Sequence, residues 1–159
     1  LINFHHYFRF ELNLNIQYTG IEAYPVSKEE IGKLNYVAEL KAENFQKEFD
    51  LLHSSNWEEI VRISEKFTLL KQQIKFEEIN NDNKFDLIYF DAFGARVQPE
   101  LWTEAIFENM FKTLKNKGVL VTYSAKGSVR RAMQSVGFVV ERLPGPPGKR
   151  EMLRATKPS

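Results

Sequence analysis

Two carboxylates stand where a side chain can do chemistry. Glu22 closes the run Ile16 to Glu22, and Asp91 closes the apolar run Phe85-Asp86-Leu87-Ile88-Tyr89-Phe90. Both runs carry the β-branched and aromatic residues of strands. In an open parallel sheet, ligands bind beyond the carboxyl ends of the strands. A carboxylate at such an end can accept hydrogen bonds from both hydroxyls of a nucleoside ribose, which suits Glu22 as well as a solvated surface acid does. Asp91 is flanked by apolar residues, where an unpartnered charge is costly, and a functional role is the stronger reading there.

The elements that must position these acids follow from periodicity. Pro25 and then Ser27-Lys28-Glu29-Glu30 predict a turn and a capping box. From Ile31 to about Ile63, apolar residues recur at helical spacing with a polar break at Ser54 to Asn56, which predicts two helices or one broken one. Phe67 to Phe76 reads as a strand and Asn80 to Asn83 as a turn. The nearly continuous apolar run Phe85 to Phe90 predicts a strand buried on both faces at the centre of a parallel sheet.

Ile106, Phe107, Met110, Phe111 and Leu114 form a helical stripe closed by Lys117-Gly118, followed by a strand from Val119 to Tyr123. Ser128 is placed to cap a helix with Val129, Ala132, Met133 and Val136 inward and Gly137 at its end. Phe138 to Leu143 and Glu151 to Thr156 make an antiparallel hairpin around Gly145-Pro146-Pro147-Gly148. Leu1 to Leu12 reads as a helix already in progress. The alternation predicts an α/β fold, a mostly parallel, doubly wound sheet ending in an antiparallel hairpin.

Composition narrows the chemistry. With 159 residues and 43% hydrophobic content, the chain can bury one core, so a single domain over 1–159 is expected. The absence of Cys excludes a disulfide framework and a thiolate metal site, and three His make a metal enzyme a poor reading. The apolar opening is broken by His5, His6 and Arg9, too short and too polar to span a bilayer. A soluble, cytoplasmic protein without metal or membrane is expected. The net charge of +1 conceals an asymmetry: from Lys126 onward there are eight basic residues against Glu141 and Glu151, a net of +6, leaving −5 for the rest. A basic segment on an acidic body is the footprint of polyanion binding, although any one such residue is more often a solvated edge.

Four blocks in order carry a resemblance: Phe85 to Phe93, Gln98-Pro99-Glu100-Leu101-Trp102-Thr103, Gly118 to Arg131, and Gly148-Lys149-Arg150-Glu151-Met152-Leu153-Arg154. Together they resemble the tRNA 5-methylaminomethyl-2-thiouridine-forming methyltransferase family, from about the first strand to the end of the chain. The resemblance implies a Rossmann-like class I methyltransferase that uses S-adenosyl-L-methionine to convert the aminomethyl group of a modified wobble uridine in tRNA to methylaminomethyl. It implies that Glu22 and Ala23 bind the cofactor, Glu22 through its ribose, and that Asp91 and Ala92 lie at the methyl-transfer centre, with Asp91 catalytic. Phe93, Trp102 and Tyr123 would contact the base, Trp102 by stacking unless it packs in the core. Lys126, Arg130, Arg131, Lys149 and Arg150 would contact tRNA phosphates.

Bifunctional members of that family carry an FAD-dependent oxidase domain after this one. This chain resembles the stand-alone members, for which a separate oxidase would supply the aminomethyl substrate. The family begins with a strand and a glycine-rich turn that this sequence lacks, so an N-terminally truncated domain is expected. Near Lys75 the family often has an acid beside the adenine, and here Glu77 and Glu78 are the nearest; Phe93-Gly94-Ala95 ends in Ala where Pro is usual. Two other readings fit the residues: a methyltransferase of the same fold acting on another amine or a small molecule, and a non-catalytic RNA-binding remnant.

Overall fold

The computed structural model describes residues 14–145, 148 and 150–159. The expected helix over Leu1 to Leu12 lies outside the described residues. The chain divides into two compact units that meet in sequence between Lys75 and Phe76.

The first unit holds a three-stranded sheet in the order β1-β3-β2, from β1 (Ile16–Ile21), β2 (Ile60–Ser64) and β3 (Phe67–Gln72). β1 runs parallel to β3, in register from Ile16 opposite Phe67 to Ile21 opposite Gln72, and the Tyr18 and Phe67 rings stack at 6.2 Å. Three short helices lie between β1 and β2: α1 (Lys28–Ile31), α2 (Tyr36–Glu39) and α3 (Gln46–Ser54). The predicted capping box is present at α1: the Ser27 hydroxyl accepts from the Glu30 amide, and the Glu30 carboxylate accepts from the Ser27 amide.

The helical reading fails at its far end. Ile60 to Ile63 belong to β2, antiparallel to β3 with Val61 opposite Leu69. Pairing with β3 overrides the local spacing, because a strand finds hydrogen-bond partners there that a lone helical turn lacks. Lys71 ties α3 to this sheet. Its ammonium donates to the Leu52 and His53 carbonyls at the end of α3, at 3.1 and 3.2 Å, and lies 5.2 Å from the Trp57 ring centre. The ammonium so answers carbonyls that a helix end leaves without partners.

The second unit carries a four-stranded sheet in the order β4-β5-β7-β6, formed by β4 (Phe85–Tyr89), β5 (Leu114–Thr122), β6 (Val139–Pro144) and β7 (Glu151–Thr156). β4 and β5 are parallel, whereas β7 is antiparallel to both β5 and β6, which is the predicted C-terminal hairpin. β4 is the terminal strand of this sheet, and Leu87 and Tyr89 are 42% and 40% exposed. Within its unit β4 is therefore neither central nor covered on both faces; the apolar run reported strand propensity, not a count of neighbours.

α4 (Glu104–Thr113) buries Ile106, Phe107 and Met110, and the Thr103 hydroxyl caps its start by accepting from the Ile106 amide. It ends at Thr113, four residues before the expected Lys117-Gly118 stop, and the chain passes directly into β5. Lys117 and Gly118 instead form an irregularity in the β4–β5 ladder, with Lys117 at φ 64°. A Cβ on Gly118 would stand 2.7 Å from the Lys115 carbonyl oxygen, so only glycine fits. α5 (Gly127–Ser135) buries Val129 and Met133. Its N-cap is Lys126, with no side-chain hydrogen bond, so Ser128 lies inside the first turn and does not cap the helix as its residue type suggested.

Candidate active site

β4 and β5 are parallel, so their carboxyl ends open on one edge of the second unit. Asp91 lies just past β4 on that edge and is exposed. The two residues after it are held from different elements. Tyr123, which follows β5, donates its hydroxyl to the Ala92 carbonyl at 2.6 Å. Trp102, at the end of a 3₁₀ turn over Pro99–Trp102, donates its indole N–H to the Phe93 carbonyl at 2.8 Å. The chain then turns on Gly94, whose carbonyl accepts from the Val97 and Gln98 amides.

This gathers four of the predicted residues, Asp91, Ala92, Phe93 and Tyr123, and changes the role of a fifth. Trp102 is only 6% exposed and packs edge-on against Phe90, 5.1 Å away, and Tyr123, 6.3 Å away. Its faces are taken by the core, so it is not a stacking surface for a base. The exposed aromatic is Phe93, at 72%. Burial, and secondarily the Asp91 carboxylate nearby, push the Tyr123 hydroxyl above the usual phenol range, so it remains a donor at neutral pH.

The basic residues reach the same edge by topology. Lys126 and α5 follow β5. β7 runs antiparallel to β5 with Leu153 opposite Thr122, so Arg150, just before β7, returns to the carboxyl end of β5. Arg130 is half-buried, and its Nε is buried without a hydrogen-bond partner. Arg131 folds back so that its Nη1 would lie 3.2 Å from a Cβ built on Gly127. The first turn of α5 has no acid to offset these cations, and the helix dipole adds to their potential. Lys149 lies outside the described residues.

Other members of the basic tail are already engaged. Arg142 pairs with Glu151 at 3.2 Å and Arg154 with Glu141 at 2.7 Å. Lys157, past the far end of β7, is 9% exposed. Its ammonium donates to the Leu114 carbonyl and to Asn83 Oδ1, over the Phe111 ring. These interactions were invisible in the sequence, since each partner is distant along the chain.

Glu22 and Ala23 belong to the first unit, immediately after β1. Glu22 is exposed, and its Oε1 accepts from the Tyr24 amide at 2.9 Å, which orients the carboxylate and leaves Oε2 for a ligand. An oriented, exposed carboxylate at a strand end fits a ribose diol. A polar cleft of about 260 Å³ lined by Glu77, Asn80, Asp82, Asn109 and Lys112 lies at the opposite, amino end of β4; apart from Glu77, one of the two acids nearest the adenine position, it includes none of the candidate residues. Among the described residues, no group of three or more His, Cys, Asp and Glu could hold a metal ion, and no helix is long and apolar enough to cross a membrane.

Comparison with known proteins identifies the family. The chain is 27% identical over 151 residues to the tRNA 5-methylaminomethyl-2-thiouridine biosynthesis bifunctional protein MnmC of Leptospira interrogans, across 92% of the chain and 23% of that relative. It is 40% identical over 76 residues to the same-named protein of Actinobacillus pleuropneumoniae, across 48% of the chain and 11% of the relative. It thus spans about a quarter or less of the length of these curated relatives. The crystal structure of MnmC2 from Aquifex aeolicus shares the fold, with a TM-score of 0.65 at 21% identity over 98% of this chain and 49% of that one. The [4+2]-cyclase SpnF, at TM-score 0.50 and 12% identity over 96% of this chain and 70% of that one, shares it more loosely, so fold alone does not name a reaction. Residues 34–158 match the family model described as S-adenosyl-L-methionine-dependent methyltransferase, and the chain belongs to that family.

Proposed function

We propose that this chain is a methyltransferase domain that binds S-adenosyl-L-methionine and methylates the amine of an aminomethyl-modified wobble uridine in tRNA, in the cytoplasm. The observation that carries the reading is the shared edge: Asp91, exposed Phe93 and the cations Lys126, Arg130, Arg131 and Arg150 all stand at the carboxyl ends of β4 and β5. A methyltransferase acting on an uncharged small molecule has no use for that charge.

In this reading Glu22, with Ala23 beside it, holds the cofactor ribose, and Ala92 lines the cofactor side of the Asp91 loop. The cofactor supplies a methyl group on a positively charged sulfur. Only a neutral amine has the lone pair to attack it. Asp91 accepts a hydrogen bond from the amine N–H, which aims the lone pair, and its Oδ atoms stand ready for the proton that the methylated nitrogen sheds. Orientation contributes most of the rate, and proton transfer less. Phe93 supports the flat base by stacking, and the cations hold phosphates, positioning the substrate without reading its sequence.

The test is calorimetric titration of the full-length protein with S-adenosyl-L-methionine, followed by methyl transfer to tRNA bearing the aminomethyl group. Cofactor binding with tRNA-dependent, salt-sensitive transfer is expected. Absence of cofactor binding would overturn the reading in favour of an RNA-binding remnant, and transfer to small amines that ignores both tRNA and salt would favour a small-molecule enzyme.

A further inference from the structure

Asp91 and Phe93 are exposed side chains on a stretch of backbone that is gripped from below. Ala92 and Phe93 are consecutive, and each gives its carbonyl to the polar tip of a different aromatic residue, at 2.6 Å from Tyr123 and 2.8 Å from Trp102. The donors come from separate elements, the end of β5 and the 3₁₀ turn before α4, and their rings meet edge-on at 81°. Trp102 is locked further by Phe90 and Phe107, with ring centres 5.1 and 6.4 Å away. A buried indole or phenol needs some acceptor, and any nearby carbonyl satisfies that need. Two such donors on the two residues that follow one carboxylate go beyond that need.

We infer that Trp102 and Tyr123 form a clamp that positions the Asp91 carboxylate and the Phe93 ring for the reaction. They act through the backbone and touch no substrate, which makes them positioning residues. The inference rests on the proposed methyl transfer for its catalytic consequence, but not for its structural content. Reacting groups held within about half an ångström of their productive geometry depend on such support, because a displacement of about 1 Å can cost a hundredfold in rate. Phe93 and Val97 are 72% and 73% exposed, so the clamp holds this loop through its backbone and leaves the side chains free for a ligand.

The experiment compares Tyr123→Phe, Trp102→Phe and the double variant with the parent in the full-length protein. Amide exchange of Val97 and Gln98, whose N–H groups close the turn on Gly94, reports the clamp directly. Exchange about fivefold to tenfold faster in Tyr123→Phe is expected, the equivalent of one lost neutral hydrogen bond, with the β5 amides unchanged. The kcat for tRNA methylation should fall by a similar factor while KM and the affinity for S-adenosyl-L-methionine stay within about twofold. The double variant should lose little more kcat than the worse single one, because both residues hold one loop. Unchanged Val97 and Gln98 exchange in folded Tyr123→Phe overturns the clamp; so does a kcat that tracks global stability across the series. If the parent methylates no tRNA, the proposed function fails and the exchange data alone decide the clamp. If Trp102→Phe does not fold, Tyr123→Phe carries the test.

Discussion

Arg154 Nε lies 2.7 Å from Glu141 Oε1 across the β6–β7 ladder, where the two residues are directly opposed. Arg142 and Glu151 pair diagonally in the same hairpin at 3.2 Å, Arg142 standing opposite Leu153 and Glu151 opposite Pro144. The tail that reads as uniformly basic is thus divided. Two of its arginines are occupied by its two acids, whereas Lys126, Arg130, Arg131 and Arg150 have no ion-pair partner among the described residues. Replacing Arg154 by Gln should leave tRNA affinity and its salt dependence unchanged. Replacing Arg130 or Arg131 by Ala should weaken binding and lower the slope of log affinity against log salt by about 1 for each phosphate no longer neutralised. Fluorescence anisotropy at several salt concentrations separates the two cases, and an equal effect of all three variants would refute the division.

The same pair sets an acid limit. The hydrogen bond from Arg154, and then its charge, hold Glu141 below the usual carboxylate range; the Ser27 amide and hydroxyl do the same for Glu30. A group whose folded pKa is depressed stabilises the fold above its unfolded value, about 4.3, and loses that contribution as pH falls through the folded value. Thermal melts should show stability declining below about pH 4.3, and the decline should be shallower in Glu141→Gln. Both sites are open to solvent, so the change is small, and salt should reduce it further.

Much of this was legible beforehand because it is local. The capping box at Ser27 needs only residues three apart, and the buried positions Ile106, Phe107 and Met110 follow from helical period alone. The carboxyl-end rule placed Asp91 and Glu22 correctly at strand termini. What escaped depends on partners far along the chain. Ile60 to Ile63 keep helical spacing but pair with β3, and nothing local announces it. Trp102 became a core donor because the Phe93 carbonyl happens to face it, a relationship nine residues away and set by the fold. Continuous apolar sequence at Phe85 to Phe90 reports a strand, but not which neighbours it has.

Lys157 supplies a stability prediction. It has the burial of a core residue, and its ammonium answers Leu114 O at 2.7 Å and Asn83 Oδ1 at 3.0 Å. Lys157→Met keeps the length of the side chain but leaves both acceptors without this donor, which should destabilise the fold by about 1–3 kcal/mol. Asn83→Gly removes one acceptor while suiting the backbone at φ 48°, so it should cost less. Urea unfolding measures both, and the reverse order would mean that the turn conformation, not the ammonium, holds this corner.

Gly118 tests the irregularity between α4 and β5. An alanine there would bring a methyl to 2.7 Å from the Lys115 carbonyl oxygen and 3.0 Å from Leu114 Cδ2, one a backbone atom and the other on a fully buried side chain. Neither yields easily, so Gly118→Ala should destabilise by about 1–3 kcal/mol, the range for overpacking. Lys117→Gly, beside it at φ 64°, should be neutral or stabilising because it relieves a left-handed conformation. A neutral Gly118→Ala in the same urea assay would mean that the Lys115 turn moves freely.

Glu22 is the remaining lever on the cofactor. Its Oε1 is engaged by the Tyr24 amide, and the carboxylate is exposed, so substitution removes a ligand-binding group without emptying a core. A carboxylate that accepts from a ribose hydroxyl makes a charge-assisted bond worth about 1.5–3 kcal/mol. Glu22→Ala should therefore raise the dissociation constant for S-adenosyl-L-methionine about tenfold to a hundredfold in calorimetry, with thermal stability nearly unchanged. Glu22→Gln retains one acceptor oxygen without the charge and should fall between Ala and the parent. If folded Glu22→Ala binds as tightly as the parent, the acid at the end of β1 is a solvated strand terminus, and the ribose is held elsewhere.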